Sequence, residues 1–329
     1  MSIAQPYVTD DATGEGWRLM LGDSCERLAE LPDNSADIGV YSPPFASLYT
    51  YSPSDRDLGN SRSMDEFAEH YRFILDEVLR VMKPGRIIAV HCQQLATQLW
   101  RDGVVGLSDF RGDLIRAHQD AGYTFYGEVT IWKNPQAQQI VKKVAVLSFS
   151  TLERDSASSR PALGDYLLIF RKPGDNDQPV KPECNRVEWT NWAAPIWETD
   201  GEMVDDSIDA GPFSASWFDI KETNTLNTAV ARESADERHI CPLQLDLIER
   251  TLRLWSNRGE LVLSPFAGIG SEGVVALRHG RSFVGCELKP SYWQTAASNL
   301  RAAENVANAP DLFADTRSTP TTTDKDNNQ

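Results

Sequence analysis

The chain has 329 residues, 41% hydrophobic and 24% charged, with a formal net charge of −16; this fits one large α/β domain with an insertion, or two small domains, around a sizeable core. No run approaches the ~18 apolar residues of a membrane span, and residues 1–16 are too polar and acidic for a secretory signal. The five cysteines are scattered without metal-ligand spacing, which argues against a structural metal and for a reduced, cytoplasmic chain.

In chain order, residues 1–16 read as a flexible arm. Residues 17–22 alternate as a short strand that Asp23 ends, and Ser24 can cap a helix reaching Leu31 before Pro32-Asp33-Asn34-Ser35 turns the chain. Residues 36–41 form an apolar strand entering Ser42-Pro43-Pro44-Phe45. Proline cannot continue a central ladder, so Pro43 and Pro44 lie beyond the strand's C-terminal end. Phe67, Tyr71, Ile74, Leu75, Val78, Leu79 and Met82 make one helical stripe over 64–82, stopped by Lys83-Pro84-Gly85. A buried strand is expected over 86–91, a helix over 107–121, and strands over 126–132 and 165–170. Residues 173–238 break this pattern with an irregular inserted region containing Trp189, Trp192, Trp197 and Trp217. Helix, strand, helix, strand and helix then follow over 243–255, 260–263, 271–279, 282–286 and 292–303. From Asn305 the chain is rich in Thr, Asn and Asp and reads as a disordered tail. Strands alternating with helices predict a doubly wound, mostly parallel α/β sheet whose ligands bind at the C-terminal ends of the strands.

Residues 261–271 read as strand, glycine loop and helix. Pro265-Phe266-Ala267-Gly268-Ile269-Gly270-Ser271 lets the backbone approach a ligand closely, and the helix that follows presents free N–H groups. The next strand ends at Cys286-Glu287, where a carboxylate can accept hydrogen bonds from both hydroxyls of a ribose. A nicotinamide site would want a third glycine where Glu272 and Gly273 stand.

Phe-Ala-Gly-Ile-Gly-Ser with its downstream Gly-Cys-Glu resembles the cofactor half of the DNA amino-methyltransferases, and Ser42-Pro43-Pro44-Phe45 resembles their catalytic motif. The order here, catalytic half before cofactor half, is that of one permuted group of the family. The resemblance spans 17–172 and 238–303. It implies a seven-stranded Rossmann-like methyltransferase sheet with S-adenosylmethionine as cofactor. The cofactor residues it implies are Asp23, His239, Pro265, Phe266, Ala267, Gly268, Gly270, Ser271 and Glu287. Two positions depart from the family. Ser264 stands where Asp usually precedes Pro-Phe, and His239-Ile240-Cys241-Pro242 lacks the usual lysine. The implied organisation is an arm (1–16), a catalytic half (17–172), an inserted recognition region (173–238), a cofactor half (239–304) and a tail (305–329).

The chemistry of the first motif can be stated from the residues alone. The exocyclic amine of cytosine or adenine is a poor nucleophile because its lone pair is delocalised into the ring. The Ser42 hydroxyl oxygen and a backbone carbonyl, that of Pro43, can accept both N–H bonds and favour a tetrahedral nitrogen. The prolines fix that geometry in advance, and Phe45 offers a face for the base. Reaching an amine inside a duplex requires base flipping, for which Tyr49 and Tyr51 are wedge candidates. In the family that the motif resembles, Ser in the first position leans towards cytosine N4, with adenine N6 as the alternative. A protein-glutamine or RNA methyltransferase and a non-catalytic DNA-binding module are further alternatives. A cytosine carbon-5 mechanism is excluded, since the chain has Cys241-Pro242 rather than a Pro-Cys nucleophile.

The expected partner is double-stranded DNA, with a homodimer as one arrangement and a bacterial or phage restriction-modification context. A net charge of −16 is unusual for that role, but it is unevenly spread. Between Lys133 and Lys172 seven basic residues meet three acidic ones, whereas between Pro173 and Arg238 five basic residues meet fifteen acidic ones. A local basic face matters more for docking than the sum. Lys133, Gln136, Gln138, Gln139, Lys142, Lys143, Arg154 and Arg160 are therefore the candidates for phosphate or base-edge contacts. The phrase Ile131-Trp132-Lys133-Asn134 also resembles one that closes a late strand in the family.

Overall fold

The computed structural model describes residues 7–45, 56–61, 63–97, 99–135, 139, 145–193, 196–197, 223–226 and 242–308. Its strands are β1 (Asp10–Gly14), β2 (Trp17–Leu21), β3 (Ile38–Tyr41), β4 (Ile87–Gln93), β5 (Leu95–Ala96), β6 (Leu107–Ser108), β7 (Thr124–Ile131), β8 (Asp165–Arg171), β9 (Ile196–Trp197), β10 (Leu261–Ser264) and β11 (Ser282–Glu287). The helices are α1 (Ser24–Leu28), α2 (Met64–Val81), α3 (Leu99–Asp102), α4 (Phe110–Asp120), α5 (Phe149–Arg154), α6 (Arg186–Trp192), α7 (Leu245–Trp255), α8 (Ser271–Arg278) and α9 (Pro290–Ala307).

Apart from a small β5–β6 hairpin, the strands form one sheet in the order β1-β2-β11-β10-β3-β4-β8-β7-β9. The run from β2 to β4 is parallel, and β8 is antiparallel to both neighbours. The seven strands implied by the resemblance are those from β2 to β7. The sheet is larger than that by β1 at one edge and the two-residue β9 at the other.

β1 corrects the flexible arm expected over 1–16. It pairs antiparallel with β2 from Asp10↔Leu21 to Gly14↔Trp17. Only Ala12 of its five residues is buried, so no apolar alternation announced it. Helix α9 likewise runs to Ala307, past the expected start of the tail. The described part of the insertion is also more regular than expected. Asn185 and Glu188 form a capping box at the start of α6. Two of the insertion's acids are accounted for there: Glu188 pairs with Arg253 at 2.9 Å and Glu183 with Arg281 at 2.6 Å.

Period-two alternation builds a core on each face. Leu19, Ile38, Val40 and Val262 face α7, α8 and α9 through Leu247, Val274 and Leu300. Met20, Tyr41, Val90 and Leu263 face α1, α2 and α4 through Leu28, Tyr71 and Leu114. The β10–α8–β11 unit thus winds on one face and β3–α2–β4 on the other, which makes the β10/β3 junction the point where the winding reverses.

A buried polar latch holds that junction. The Asp37 N–H donates to the Leu261 carbonyl at 2.9 Å, and the Asp37 Oδ2 carboxylate oxygen accepts from Leu261 N at 2.9 Å. Lys83 Nζ pairs with Asp37 Oδ1 at 2.6 Å. The Arg86 guanidinium, 2% exposed, donates to the Asp37 carbonyl at 2.7 Å and pairs with Glu260. Burial works to raise the Glu260 pKa, but Arg86 and Asn257 outweigh it and hold the carboxyl below its ordinary value. Glu260 therefore contributes stability at neutral pH that is lost as the pH falls below the ordinary carboxylate value towards the lower folded one. Glu260→Ala, which strands the Arg86 charge, is expected to destabilise the fold by about 3–5 kcal/mol. Glu260→Gln should flatten the acid limb of the stability curve. Urea unfolding at pH 4, 5, 6 and 7 checks both.

Candidate functional site

One pocket opens at the C-terminal ends of β3, β10 and β11, and both sequence motifs line it. Ser42, Pro43, Pro44 and Phe45 form one wall, and Pro265, Phe266, Ala267, Gly268, Ser271 and Glu287 the other. The parallel pairing Val262↔Ile38 and Leu263↔Gly39 brings these walls together.

The second wall is shaped by backbone bonds between neighbouring strands. Ala267 N–H donates to the Cys286 carbonyl at 2.8 Å, and Gly22 N–H to the Glu287 carbonyl at 2.9 Å. Ser24 Oγ donates to the Pro265 carbonyl at 2.5 Å. Asn299 of α9 donates to the Ile269 carbonyl at 2.8 Å. Gly268 and Gly270 both have positive φ, but for different ends. A Cβ on Gly268 (φ +53°) would meet nothing within 4 Å, so that turn faces open space. A Cβ on Gly270 (φ +89°) would press on Ala296 at 3.2 Å. Gly270 is the N-cap of α8 and stands outside the pocket lining; its lack of a Cβ allows the close approach of α8 to α9.

The Glu287 carboxylate accepts from Gly268 N at 2.9 Å and from Lys289 N at 2.8 Å. Burial pushes its pKa up to about 7, with those two donors pulling the other way. Glu272, which no sequence motif marked as a site residue, also lines the pocket and is 4% exposed. Burial, reinforced by the nearby Glu287, pushes it up to about 8. Asp23 lines the pocket while capping α1 through Cys25 N, and it pairs with Arg56 at 3.1 Å. Ser264 does not reach the pocket. It is fully buried and its hydroxyl oxygen has no hydrogen-bond partner among the described residues.

On the first wall, Phe45 is held edge-to-face against Phe110 at 5.9 Å. Ser42 Oγ lies 3.2 Å from the His91 carbonyl and 3.4 Å from His91 Nδ1. His91 Nε2 lies 2.9 Å from the Asp165 carboxylate, which Lys133 also pairs. Nothing in the sequence singled out His91 and Asp165, because they lie on β4 and β8, 74 residues apart in the chain. No thiolate among the described residues competes as a nucleophile here. Burial pushes the Cys25 thiol up to about 12 and raises Cys92 and Cys286 further.

The candidate DNA contacts separate. Lys133 is turned inward, its side chain 13% exposed and paired with buried Asp165, so it does not present a charge to phosphate. Arg154 is exposed at the end of α5. Arg160 is partly buried and donates to the Pro161 carbonyl at 3.1 Å. Gln136, Gln138, Lys142, Lys143, Tyr49, Tyr51 and His239 lie outside the described residues.

A family model described as DNA methylase matches residues 36–298. The chain belongs to this N6/N4 DNA methylase family. The methylase is 24% identical to the type II methyltransferase M.Cfr9I of Citrobacter freundii, over 92% of this chain and 94% of that one. A shorter stretch of 66 residues, 20% of this chain and 25% of the other, is 46% identical to the type II methyltransferase M1.MboII of Moraxella bovis. Among solved structures, a putative DNA modification methylase of Thermus thermophilus in complex with S-adenosyl-L-methionine superposes with a TM-score of 0.60. It is 22% identical, over 86% of this chain and 92% of that one, and it shares the fold of the methylase.

Glu287→Gln is expected to weaken S-adenosylmethionine binding about tenfold to a hundredfold, the loss of hydrogen bonds to a charged acceptor. In the unaltered methylase, affinity should fall as the pH drops below about 7 and the Glu287 carboxylate takes up a proton; the variant should lack this slope. Titration calorimetry between about pH 5.5 and 8.5 measures both.

Proposed function

We propose that this methylase transfers the methyl group of S-adenosylmethionine to the exocyclic amino group of a flipped DNA base, with N4 of cytosine preferred over N6 of adenine. The observation that carries the reading is the convergence of Ser42-Pro43-Pro44-Phe45 and the Gly268 turn in one pocket. The open space at Gly268 is a cradle that a Cβ would fill, and the Glu287 carboxylate beside it is poised for a ribose. These residues fit the adenosyl end of the cofactor. When bound, S-adenosylmethionine supplies an electrophilic methyl group on a sulfonium. The chain supplies the rest. Ser42 Oγ and the Pro43 carbonyl accept the amino N–H bonds, and the prolines hold those acceptors in place. The attack is direct, with no covalent bond to the protein.

The preference for cytosine rests on Ser42 standing first in the motif, the residue that goes with cytosine N4 in the family it resembles, where Asp or Asn leans to adenine N6. The target is double-stranded DNA in a restriction-modification setting, with the exposed Arg154 and the stretch around Lys142 and Lys143 as phosphate contacts. Digesting treated duplex DNA to nucleosides and weighing the products should yield N4-methylcytosine. N6-methyladenine alone would reassign the base, and no methyl in any duplex tested would sink the reading. Ser42→Ala should slow transfer about a hundredfold or more, in the range seen when one donor or acceptor to a reacting centre is removed, while leaving cofactor binding intact.

A further inference from the structure

We propose that His91, Asp165 and Lys133 form a buried chain behind Ser42 that aims its hydroxyl and takes up the proton the amino group gives off. The inference rests on the amino-methylation reading above and extends it to residues outside the Ser-Pro-Pro-Phe motif.

A hydroxyl has one hydrogen to place. Ser42 can act as an acceptor towards an amino N–H only if that hydrogen points elsewhere. The structure offers it two destinations, the His91 carbonyl at 3.2 Å and His91 Nδ1 at 3.4 Å. Both belong to one residue, and both leave the Ser42 lone pairs free for the base. Such separations commonly shorten when substrate binds.

His91 can receive a proton only if Nδ1 is bare. The far side of its ring sets that. Nε2 lies 2.9 Å from Asp165 Oδ2, so the ring donates Nε2–H to the carboxylate and Nδ1 becomes the acceptor. Asp165 is 1% exposed, and although burial works against its charge, Lys133 and His91 hold it well below the ordinary carboxylate range. It therefore stays an anion and keeps the tautomer fixed. Lys133 pairs with the same oxygen, Oδ2. Its charge offsets that of the carboxylate, and Asp165 orders the imidazole through the Nε2 contact. This explains why a lysine in a stretch that reads as basic surface is turned inward.

In the transfer step, the amino nitrogen's lone pair forms the N–C bond to the methyl carbon while the C–S bond breaks and its electron pair stays on sulfur. The nitrogen is left with one proton too many. That proton passes to Ser42 Oγ as the Ser42 hydroxyl hydrogen passes to His91 Nδ1. The imidazolium so formed is held by Asp165 and returns its proton to water after the product leaves. Ser42 touches the base; His91, Asp165 and Lys133 act through it as positioning residues. The arrangement follows the logic of a serine–histidine–aspartate triad, with the serine serving as acceptor and conduit and forming no bond to carbon.

Two measurements test the chain. The first needs no turnover: the imidazole ¹⁵N shifts of His91 in the resting full-length protein should show hydrogen on Nε2 and none on Nδ1, and Asp165→Asn should reverse or mix the tautomers. Finding Nδ1 protonated in the unaltered protein overturns the proposal. The second is single-turnover methyl transfer to duplex DNA by His91→Ala. The rate should fall about a hundredfold, the order expected for loss of a proton acceptor, with cofactor affinity by calorimetry and DNA affinity unchanged, and millimolar imidazole should restore much of it. An undiminished rate, or a lost rate with lost cofactor binding and no rescue, overturns the proposal. If the unaltered protein methylates no base, the amino-methylation reading itself has failed; if it methylates normally and only the His91 outcomes differ, the failure is confined to the chain behind Ser42.

Discussion

Strands β3 and β10 lie side by side in the sheet, although the Asp37–Leu261 hydrogen bond that starts their pairing joins residues 224 apart in sequence. Most of the site follows from that one pairing. It sets the Ser-Pro-Pro-Phe turn beside the glycine turn, because each continues directly from the C-terminal end of its strand. It also places both at the point where the winding of the sheet reverses, where neighbouring loops diverge and leave a crevice. The polar latch of Asp37, Lys83, Arg86 and Glu260 lies at the opposite ends of the same strands. One end of the junction is therefore charged and tied, and the other is an open pocket.

Much of this was legible because it is local. Apolar periodicity marks α2 and α7, short continuous apolar runs mark β4 and β8, and proline and glycine mark the two turns within a residue or two of where they stand. The pocket walls were legible because each is a contiguous phrase. The unread parts share one cause. β1 carries a single buried residue, Ala12, and so has no pattern of its own. His91, Asp165 and Lys133 are unremarkable singly and acquire meaning only when β4 and β8 pair. Lys133 is instructive because charge density placed it on a surface while one buried carboxylate turned it inward. Gly270 shows a related point: a glycine in a cofactor phrase also serves the packing of two helices.

The pocket's electrostatics divide by wall. On the glycine-turn side, Glu272 and Glu287 are carboxyls raised by burial, and the Glu287 charge adds to the rise of Glu272. Behind Ser42, Asp165 is held as an anion and its charge is matched by a lysine. On the proposed function, the wall assigned to the cofactor carries titratable carboxyls, and the wall assigned to the base presents neutral acceptors backed by the Asp165–Lys133 pair.

The late position of β10 also has a consequence for how the protein comes into being. Synthesis from the N-terminus delivers β2, β3 and β4 long before β10 and β11, the two strands that belong between β2 and β3. Until residues 261–287 emerge, β3 and β2 each present an unpaired edge, a surface prone to wrong pairing, and the long sequence separation of the closing contacts slows folding. The same late segment carries the glycine turn and Glu287. Closure of the sheet and completion of the cofactor pocket are therefore one event, and a truncated nascent chain has neither a finished fold nor the means to modify a base.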